Sequence, residues 1–337
     1  MAGGSTIRIL AVGAAMGALV AQTPGEPSVS GKIRIWGHGS RTGDFAGDLV
    51  RRWNQGFQRL NPGVQFEVAL RGDSAAIGGV YTGAADLALM GREIWPIEME
   101  GFEQATNTKP LEVSVMTGSL NVPRHSFALV IFVHKDNPLS KMTLAEADAI
   151  FGADHRRGSK NIRQWGDLGL AGEWTGRSIH LYGFAIQQDF SQFFQQAVMS
   201  GSKKWNCDLR EFRDVQHAGG PAVEAGQQIL DALAKDPAGI AVSSLAYGNP
   251  NCKPLALSDG SDEFVLPSRD SVMARRYPLA RPVNVVVSRP AGVPLDPKIR
   301  RYLAFLLSPE GQRIVAEDGG YLPLPETIAR QERMKLQ

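Results

Sequence analysis

The stretch RGDSAAIGGVYTGAADLALMGR, residues 71–92, decides the fold, because it predicts a loop, a helix, a strand and a second loop in that order. The helix is predicted over 75–81 and ends at Gly83, a residue that stops helices. The short apolar run 85–90 is typical of a strand buried in a parallel sheet. The stretch therefore reads as one strand–helix unit of an α/β sheet.

Polar residues stand at the two points of this stretch where a ligand can approach. Asp73 and Ser74 precede the helix, and each offers a side-chain oxygen that can cap it. Gly91 and Arg92 follow the strand, where a basic side chain can face a cleft. A helix N-terminus beside the end of a parallel strand favours anions, because free N–H groups and the helix dipole point the same way. The alternative is an ordinary crossover without a ligand.

The sequence before this stretch has the same alternating pattern. Residues 32–36 alternate as a strand, and after a Gly-rich loop a helix with one apolar face is predicted over 44–60. A second strand is predicted over 64–70. This alternation predicts an α/β domain with a parallel sheet. The Gly-rich loop has neither the spacing of a dinucleotide-binding fingerprint nor that of a P-loop.

Later segments predict further strands and helices. Residues 94–108 are polar and are expected to wrap the surface, while 127–133 are almost all apolar and predict a strand. Thr143, with Glu146 three residues on, forms a capping-box pattern at the start of a helix.

Composition sets the limits of the interpretation. The chain has 337 residues, a formal net charge of +2 and 43% hydrophobic residues, which is enough for two domains with separate cores. The basic residues are scattered, so a nucleic-acid partner is not expected. The sequence contains no nucleophile elbow and no HExxH motif. We therefore expect no enzyme activity, no cofactor and no metal.

The N-terminus resembles an export signal. Arg8 gives a weakly basic start, residues 9–20 are apolar, and Ala21 offers a small residue for cleavage. The interpretation is a signal peptide over 1–21, with an uncleaved anchor as the alternative, followed by a leader over 22–31. We therefore expect a periplasmic or other extracytoplasmic protein.

The chain contains two cysteines, Cys207 and Cys252. In an exported chain they predict a disulfide, which can add about 2–4 kcal/mol of stability. Two separate buried thiols are the alternative. A zinc site is not predicted, because no His or Cys lies at ligand spacing beside either residue.

Five segments together carry a family resemblance. They are VIFVHKDNPLSKMTLAEADAIFGA at 130–153, WGDLGLAGEWTGRSIHLYG at 165–183, AGIAVSSLAYG at 238–248, RRYPLARPVNVVV at 275–287 and SPEGQRIVAEDGGYLPLP at 308–325. In this order they resemble the phosphate-binding proteins of ABC importers, within the periplasmic binding protein superfamily. The resemblance covers almost all of residues 32–325.

The resemblance implies an α/β fold of type II with two lobes, two crossovers and a ligand cleft between the lobes. The crossovers are expected near 119–127 and 277–282. The implied lobes are 32–120 plus 281–337 and 121–280. The implied function is a monomeric solute-binding protein that holds phosphate or a related oxyanion and delivers it to a membrane permease. The alternative is a sensory or scavenging module for another small polar solute, without a transporter.

The resemblance also implies where the ligand is held. The candidate residues are Gly39, Ser40, Arg41, Thr42, Asp73, Ser74, Gly91, Arg92, Gln187, Gln188 and Asp189. The chain departs from the family in the second lobe, where Gln187, Gln188 and Asp189 replace a Ser-Gly-Thr triplet and Phe184 replaces an Arg.

These departures change the expected selectivity. Two like charges about 4 Å apart interact by roughly 4 kcal/mol at an effective dielectric constant of 20, whereas a helix end contributes at most about 2 kcal/mol. Asp73 and Asp189 therefore oppose a bare dianion, but either can accept a proton from a monoprotonated oxyanion. The two glutamines instead suit a neutral or mixed polar ligand, since an amide both donates and accepts hydrogen bonds.

Overall fold

The computed structural model of the chain describes residues 28–38, 46–123, 125–216, 220 and 222–337. The predicted signal segment, 1–21, and the leader up to residue 27 lie outside the described residues. The described residues form an α/β fold of two lobes, each built around a five-stranded sheet. None of the helices in these ranges combines the length and the apolar character that crossing a bilayer requires.

The strands of the described residues, β1 to β12, are Gly31–Gly37, Val64–Ala69, Leu87–Met90, Leu111–Thr117, Val130–His134, Lys141–Thr143, His180–Phe184, Leu209–Phe212, Gly239–Ser243, Cys252–Pro254, Ala256–Ser258 and Pro282–Val287. The helices of the same residues, α1 to α10, are Gly47–Leu60, Asp73–Tyr81, Pro96–Thr106, Leu144–Phe151, Asp189–Ala197, Ala225–Leu233, Arg269–Met273, Pro297–Leu306, Pro309–Asp318 and Glu326–Met334.

The first sheet has the strand order β2–β1–β3–β12–β4. β1 runs parallel to both β2 and β3, as the sequence predicts. β12 is antiparallel to β3 and β4, so the sheet is mixed and the predicted parallel pairing holds only for β1, β2 and β3. The predicted apolar face of α1 is confirmed, because Leu49, Trp53 and Phe57 are each only 1% exposed. The carboxyl ends of β1 and β3 share one edge of this sheet, which is where α/β proteins bind ligands.

The second sheet has the order β10–β5–β9–β7–β8 and a core of its own. β7 is parallel to β8 and β9, whereas β5 is antiparallel to β9 and β10. The predicted capping box at α4 is confirmed: Thr143 Oγ1 accepts from the Glu146 N–H at 3.1 Å, and Glu146 Oε2 accepts from the Thr143 N–H at 2.7 Å. β6 and β11 pair separately as a two-stranded ladder.

The C-terminal helices return to the first lobe. The indole N–H of Trp53 in α1 donates to the Gly311 carbonyl in α9 at 2.9 Å. The Gln312 amide donates to the Val115 carbonyl of β4 at 2.8 Å. Glu332 Oε2 of α10 accepts from the Ser114 N–H at 2.9 Å. The first lobe is therefore discontinuous in sequence.

Two crossovers join the lobes and run side by side. The first leaves β4 at Thr117 and reaches β5, and the second leads from α7 into β12. The Gly118 N–H donates to the Arg281 carbonyl at 2.7 Å, and the Leu129 N–H donates to the Leu279 carbonyl at 3.1 Å. These bonds fasten one crossover to the other.

The segment 94–108 lies at the surface, as expected, but it forms a helix there, α3, which the sequence did not predict. Pro96 occupies its first turn, where the missing N–H costs nothing. Glu98 Oε2 accepts from the Trp95 N–H at 3.0 Å and so helps to cap the helix. Phe102 is the one buried residue of this helix, which explains why the sequence shows no apolar periodicity that would predict α3.

Candidate functional site

The candidate site begins at the edge where β1 and β3 end and α2 starts. His38 follows β1, Gly91 follows β3, and Asp73 is the first residue of α2. Asp73 Oδ1 accepts from the Gly91 N–H at 2.7 Å, and Asp73 Oδ2 lies 3.2 Å from His38 Nδ1. The Asp73 carboxylate thus ties together the ends of two strands and the start of a helix.

The environment of Asp73 keeps its carboxylate charged. Burial alone would raise its pKa, but the hydrogen bond and charge of His38, the Gly91 N–H and the charge of Arg92 together hold the pKa below its ordinary value. The side chain is only 13% exposed. Asp73 is therefore a buried crosslink, and protons reach it only at low pH.

Gly91 allows the close approach on which this crosslink depends. A Cβ added at Gly91 would lie 2.2 Å from His38 Nδ1, so any side chain there would displace His38 from Asp73. The Gly91 carbonyl accepts a hydrogen bond from the Ser126 hydroxyl, which belongs to the first crossover. The end of β3 is thereby attached to the hinge.

Arg92 is compensated inside the first lobe. Its guanidinium donates to Glu98 Oε1 at 2.6 Å and to Glu98 Oε2 at 2.8 Å, and it also donates to Ser74 Oγ at 2.9 Å. It lies 3.9 Å from the centre of the Trp95 ring, and its side chain is 5% exposed. Burial would raise the pKa of Glu98, but Arg92 and the Trp95 N–H lower it. The charge of Arg92 is thus already paired.

The second lobe contributes the start of α5. Asp189 is the first residue of this helix, and its side chain is 41% exposed. Gln188 is the N-cap residue, and its carbonyl accepts from the Gln192 N–H at 3.1 Å. The neighbouring Gln187 is exposed, and its Oε1 accepts from Arg213 at 2.8 Å.

Arg281, in the second crossover, contacts the carboxylates of Glu93 and Asp189. Its Nε and Nη2 donate to the Glu93 carboxylate at 3.3 and 3.1 Å, and its Nη1 donates to Asp189 Oδ2 at 3.5 Å. The guanidinium lies 5.2 Å from the Phe190 ring centre and 5.0 Å from that of Phe193. One cation of the hinge therefore contacts a carboxylate of each lobe.

Charges from both lobes act on this cation. Burial would lower the pKa of Arg281, but the negative charges of Glu93, Asp189 and Asp73 raise it. Tyr321 is also part of this neighbourhood, since Asp73 and Arg281 both act on its phenol. Asp189 at the start of α5 thus contacts this buried guanidinium, and the charge of Asp73 at the start of α2, in the other lobe, also acts on it.

The sequence-predicted residues are brought together only in part. Asp73 and Gly91 contact each other, and Ser74 and Arg92 form a cluster with Glu98. Asp189 contacts the guanidinium of Arg281. The predicted contributions of Gly39, Ser40, Arg41 and Thr42 lie outside the described residues and stay predictions.

Sequence reasoning missed Arg281, Glu93, Ser126 and Tyr321. The available signal was a single basic residue placed directly before the apolar run PVNVVV, residues 282–287. A charged residue directly before a buried strand is unusual unless it has a specific partner, so Arg281 could have been identified as a candidate hinge residue.

The predicted disulfide is contradicted by the structure. Cys207 and Cys252 are both free thiols. Cys207 is exposed and its Sγ lies 3.9 Å from Asp208 Oδ1, whereas Cys252 Sγ lies 3.4 Å from the Leu230 carbonyl against α6. The described residues also contain no group of three or more His, Cys, Asp or Glu side chains that could hold a metal ion.

Comparison with known proteins agrees with this architecture. A model of the PBP superfamily domain matches residues 23–310. The Phosphate-binding protein PstS of Pseudomonas aeruginosa is 32% identical over 322 residues, which cover 94% of this chain and 92% of that protein.

Two solved structures show the same fold. PstS from Borrelia burgdorferi superposes with a TM-score of 0.59 at 14% identity, covering 87% of this chain and 99% of that one. An ABC-type phosphate transport receptor from Vibrio cholerae superposes with a TM-score of 0.54 at 17% identity, covering 87% and 100%.

Proposed function

The chain belongs to the PBP superfamily, and from that membership we propose that it is an extracytoplasmic solute-binding protein of an ABC-type importer. Its ligand in this proposal is phosphate or a related oxyanion, held in the cleft between the lobes. The name of the Pseudomonas aeruginosa relative supports phosphate as the first candidate.

The observation that carries the proposal is the convergence on Arg281. The starts of α2 and α5 come from different lobes, and residues of both interact with its guanidinium. Helix N-termini and a buried guanidinium both favour an anion, because their N–H groups point at it and their charge is positive. An anion that contacts both lobes at once favours the closed arrangement, since the open one offers only half of the contacts.

The lobe boundaries belong to the same proposal. The first lobe comprises 32–120 plus 281–337, and the second comprises 121–280. The ligand contacts proposed in these lobes are Gly39, Ser40, Arg41, Thr42, Asp73, Ser74, Gly91, Arg92, Gln187, Gln188 and Asp189. The protein acts as a monomer outside the cytoplasm and passes its ligand to a membrane permease.

A ligand screen tests the proposal directly. Purified protein is heated with inorganic phosphate, sulfate and a panel of neutral and zwitterionic solutes, and unfolding is followed for each. A solute present at 100 times its dissociation constant adds about 2.7 kcal/mol of stability. We expect phosphate to raise the melting temperature and chloride at equal ionic strength to leave it unchanged. A rise with a neutral solute alone overturns the oxyanion as ligand.

A further inference from the structure

Arg281 is a buried cation at the hinge whose contacts differ in strength. Its side chain is 0% exposed, while those of Glu93 and Asp189 are 30% and 41% exposed. Glu93 accepts from two nitrogens at 3.1 and 3.3 Å, a forked contact that fixes the plane of the guanidinium. The contact with Asp189 is single and, at 3.5 Å, lies at the limit of a hydrogen bond.

The weaker contact is the one that a ligand can replace. A guanidinium carries five N–H groups, and Glu93 and Asp189 accept from three of those of Arg281. Asp189 is more exposed than Glu93, so water can hydrate its carboxylate once it leaves Arg281. A buried guanidinium must keep an anionic partner, because an unpaired charge in the interior is costly. An oxyanion that takes the place of Asp189 meets that requirement.

A second donor lies in the same neighbourhood. Tyr321 is 1% exposed, and the backbone N–H of Ser126 acts on its hydroxyl oxygen, but the hydroxyl proton has no acceptor within the described part of the chain. Its phenol interacts electrostatically with both Asp73 and Arg281. A buried hydroxyl proton without an acceptor is unfavourable, so its presence near Arg281 indicates a group that a ligand completes.

Resting on the proposed function, we propose that Arg281 supplies the positive charge of the ligand site and exchanges Asp189 for an oxygen of the bound oxyanion. Glu93 keeps the guanidinium in place during this exchange, and the Tyr321 hydroxyl donates to a second ligand oxygen. Arg281 is thus a ligand contact located on the hinge itself, so binding and the relative position of the lobes are coupled through one side chain.

Titration calorimetry of inorganic phosphate into four forms of the full chain tests the inference. The forms are the natural protein, Arg281→Gln, Arg281→Lys and the control Arg276→Gln, whose side chain is 55% exposed and pairs with Glu263. Removing a charge-assisted contact weakens binding by at least about tenfold. We expect that loss for Arg281→Gln, a smaller loss for Arg281→Lys because an ammonium cannot form the fork, and no change for Arg276→Gln.

Two further variants keep the test decisive if Arg281→Gln does not fold. Asp189→Asn leaves Arg281 in place and removes the carboxylate that competes with the ligand for its guanidinium. We therefore expect this variant to bind sulfate more tightly than the natural protein does. Tyr321→Phe removes only the hydroxyl, and we expect phosphate binding to weaken severalfold.

The outcomes separate the inference from the function on which it rests. If the natural protein binds neither phosphate nor sulfate, the proposed function fails. If the natural protein binds phosphate and folded Arg281→Gln binds it equally well, the function stands and the role of Arg281 is refuted. A weaker affinity of Asp189→Asn for sulfate refutes the exchange.

Discussion

The Gly118 N–H donates to the Arg281 carbonyl at 2.7 Å, so the residue that carries the buried cation of the hinge is fastened through its backbone to the other crossover. A Cβ added at Gly118 would lie 2.4 Å from the Ser126 carbonyl oxygen and 2.9 Å from that of Arg281. The two crossovers can therefore pack side by side only while position 118 lacks a side chain.

Gly118→Ala is expected to destabilise the protein by about 1–3 kcal/mol, the usual cost of forcing an atom into a packed site. Urea unfolding measures the change. The matched control is Gly101→Ala in α3, where an added Cβ meets nothing within 4 Å and a helical Ala gains about 0.5–1 kcal/mol over Gly. Equal effects of the two substitutions would contradict the close packing of the crossovers.

The stability contributed by Asp73 depends on pH in a defined direction. Its folded-state pKa is lowered, so its contribution is fully present above its unfolded value of about 3.9 and is lost as the pH falls through the folded value. We expect Asp73→Asn to be less stable than the natural protein at pH 7 and the difference to shrink below about pH 4. Denaturant unfolding across this range checks it.

The control for Asp73 is Asp262→Asn, a substitution of an exposed residue. A surface substitution of this kind changes stability by no more than about 0.5 kcal/mol. A difference between Asp73→Asn and the natural protein that stays constant down to pH 3 is the result that contradicts the prediction.

The two thiols are expected to react at very different rates. Burial and the charge of Asp231 raise the pKa of Cys252 to about 11. At pH 8 only about one Cys252 in a thousand is then a thiolate, the reactive form. Iodoacetamide should therefore modify the exposed Cys207 first and Cys252 only after unfolding, as peptide mass spectrometry will show. An intact mass that lacks two hydrogen atoms relative to the reduced chain would instead mean a disulfide.

Elements with strong local signals were predictable from the sequence. The periodic apolar face of α1, the capping box of α4 and the apolar strand Val130–His134 all depend on residues close in sequence. α3 was missed because it buries one side chain, and β6 and β11 have three residues each, too few to establish a period.

The candidate site was only partly predictable, because local sequence signals reveal some of its residues and not others. Asp73 and Asp189 stand at helix starts, which local sequence reveals. Arg281 and Glu93 are separated by 188 positions, and no periodicity relates them. The disulfide failed because two cysteines in an exported chain specify a chemistry but no distance, and the fold places Cys252 against α6.

Ligand binding is expected to narrow the angle between the lobes. The two crossovers are the links between them, and an anion held by both lobes shifts the population to the closed form. Small-angle scattering with saturating phosphate should give a smaller radius of gyration than the same protein in chloride of equal ionic strength. A radius that does not change at saturation would mean a rigid or permanently closed molecule.

Selectivity between phosphate and sulfate tests the roles of the two aspartates. Only phosphate carries a proton near neutral pH, so a carboxylate that accepts this proton favours phosphate. Asp73 already accepts from the Gly91 N–H and has a lowered pKa, whereas Asp189 is 41% exposed and makes one long contact. We therefore expect Asp189 to be the acceptor.

Asp189→Asn should narrow the preference for phosphate, because an amide can donate to an unprotonated sulfate oxygen. Asp73→Asn should lower stability and leave the ratio of the two affinities unchanged. Titration calorimetry of both anions at pH 7 gives the ratios. A ratio that collapses in Asp73→Asn alone would assign the acceptor to Asp73. Heat from a neutral or zwitterionic solute, with none from phosphate, would make Gln187 and Gln188 the leading contacts, since their amides both donate and accept.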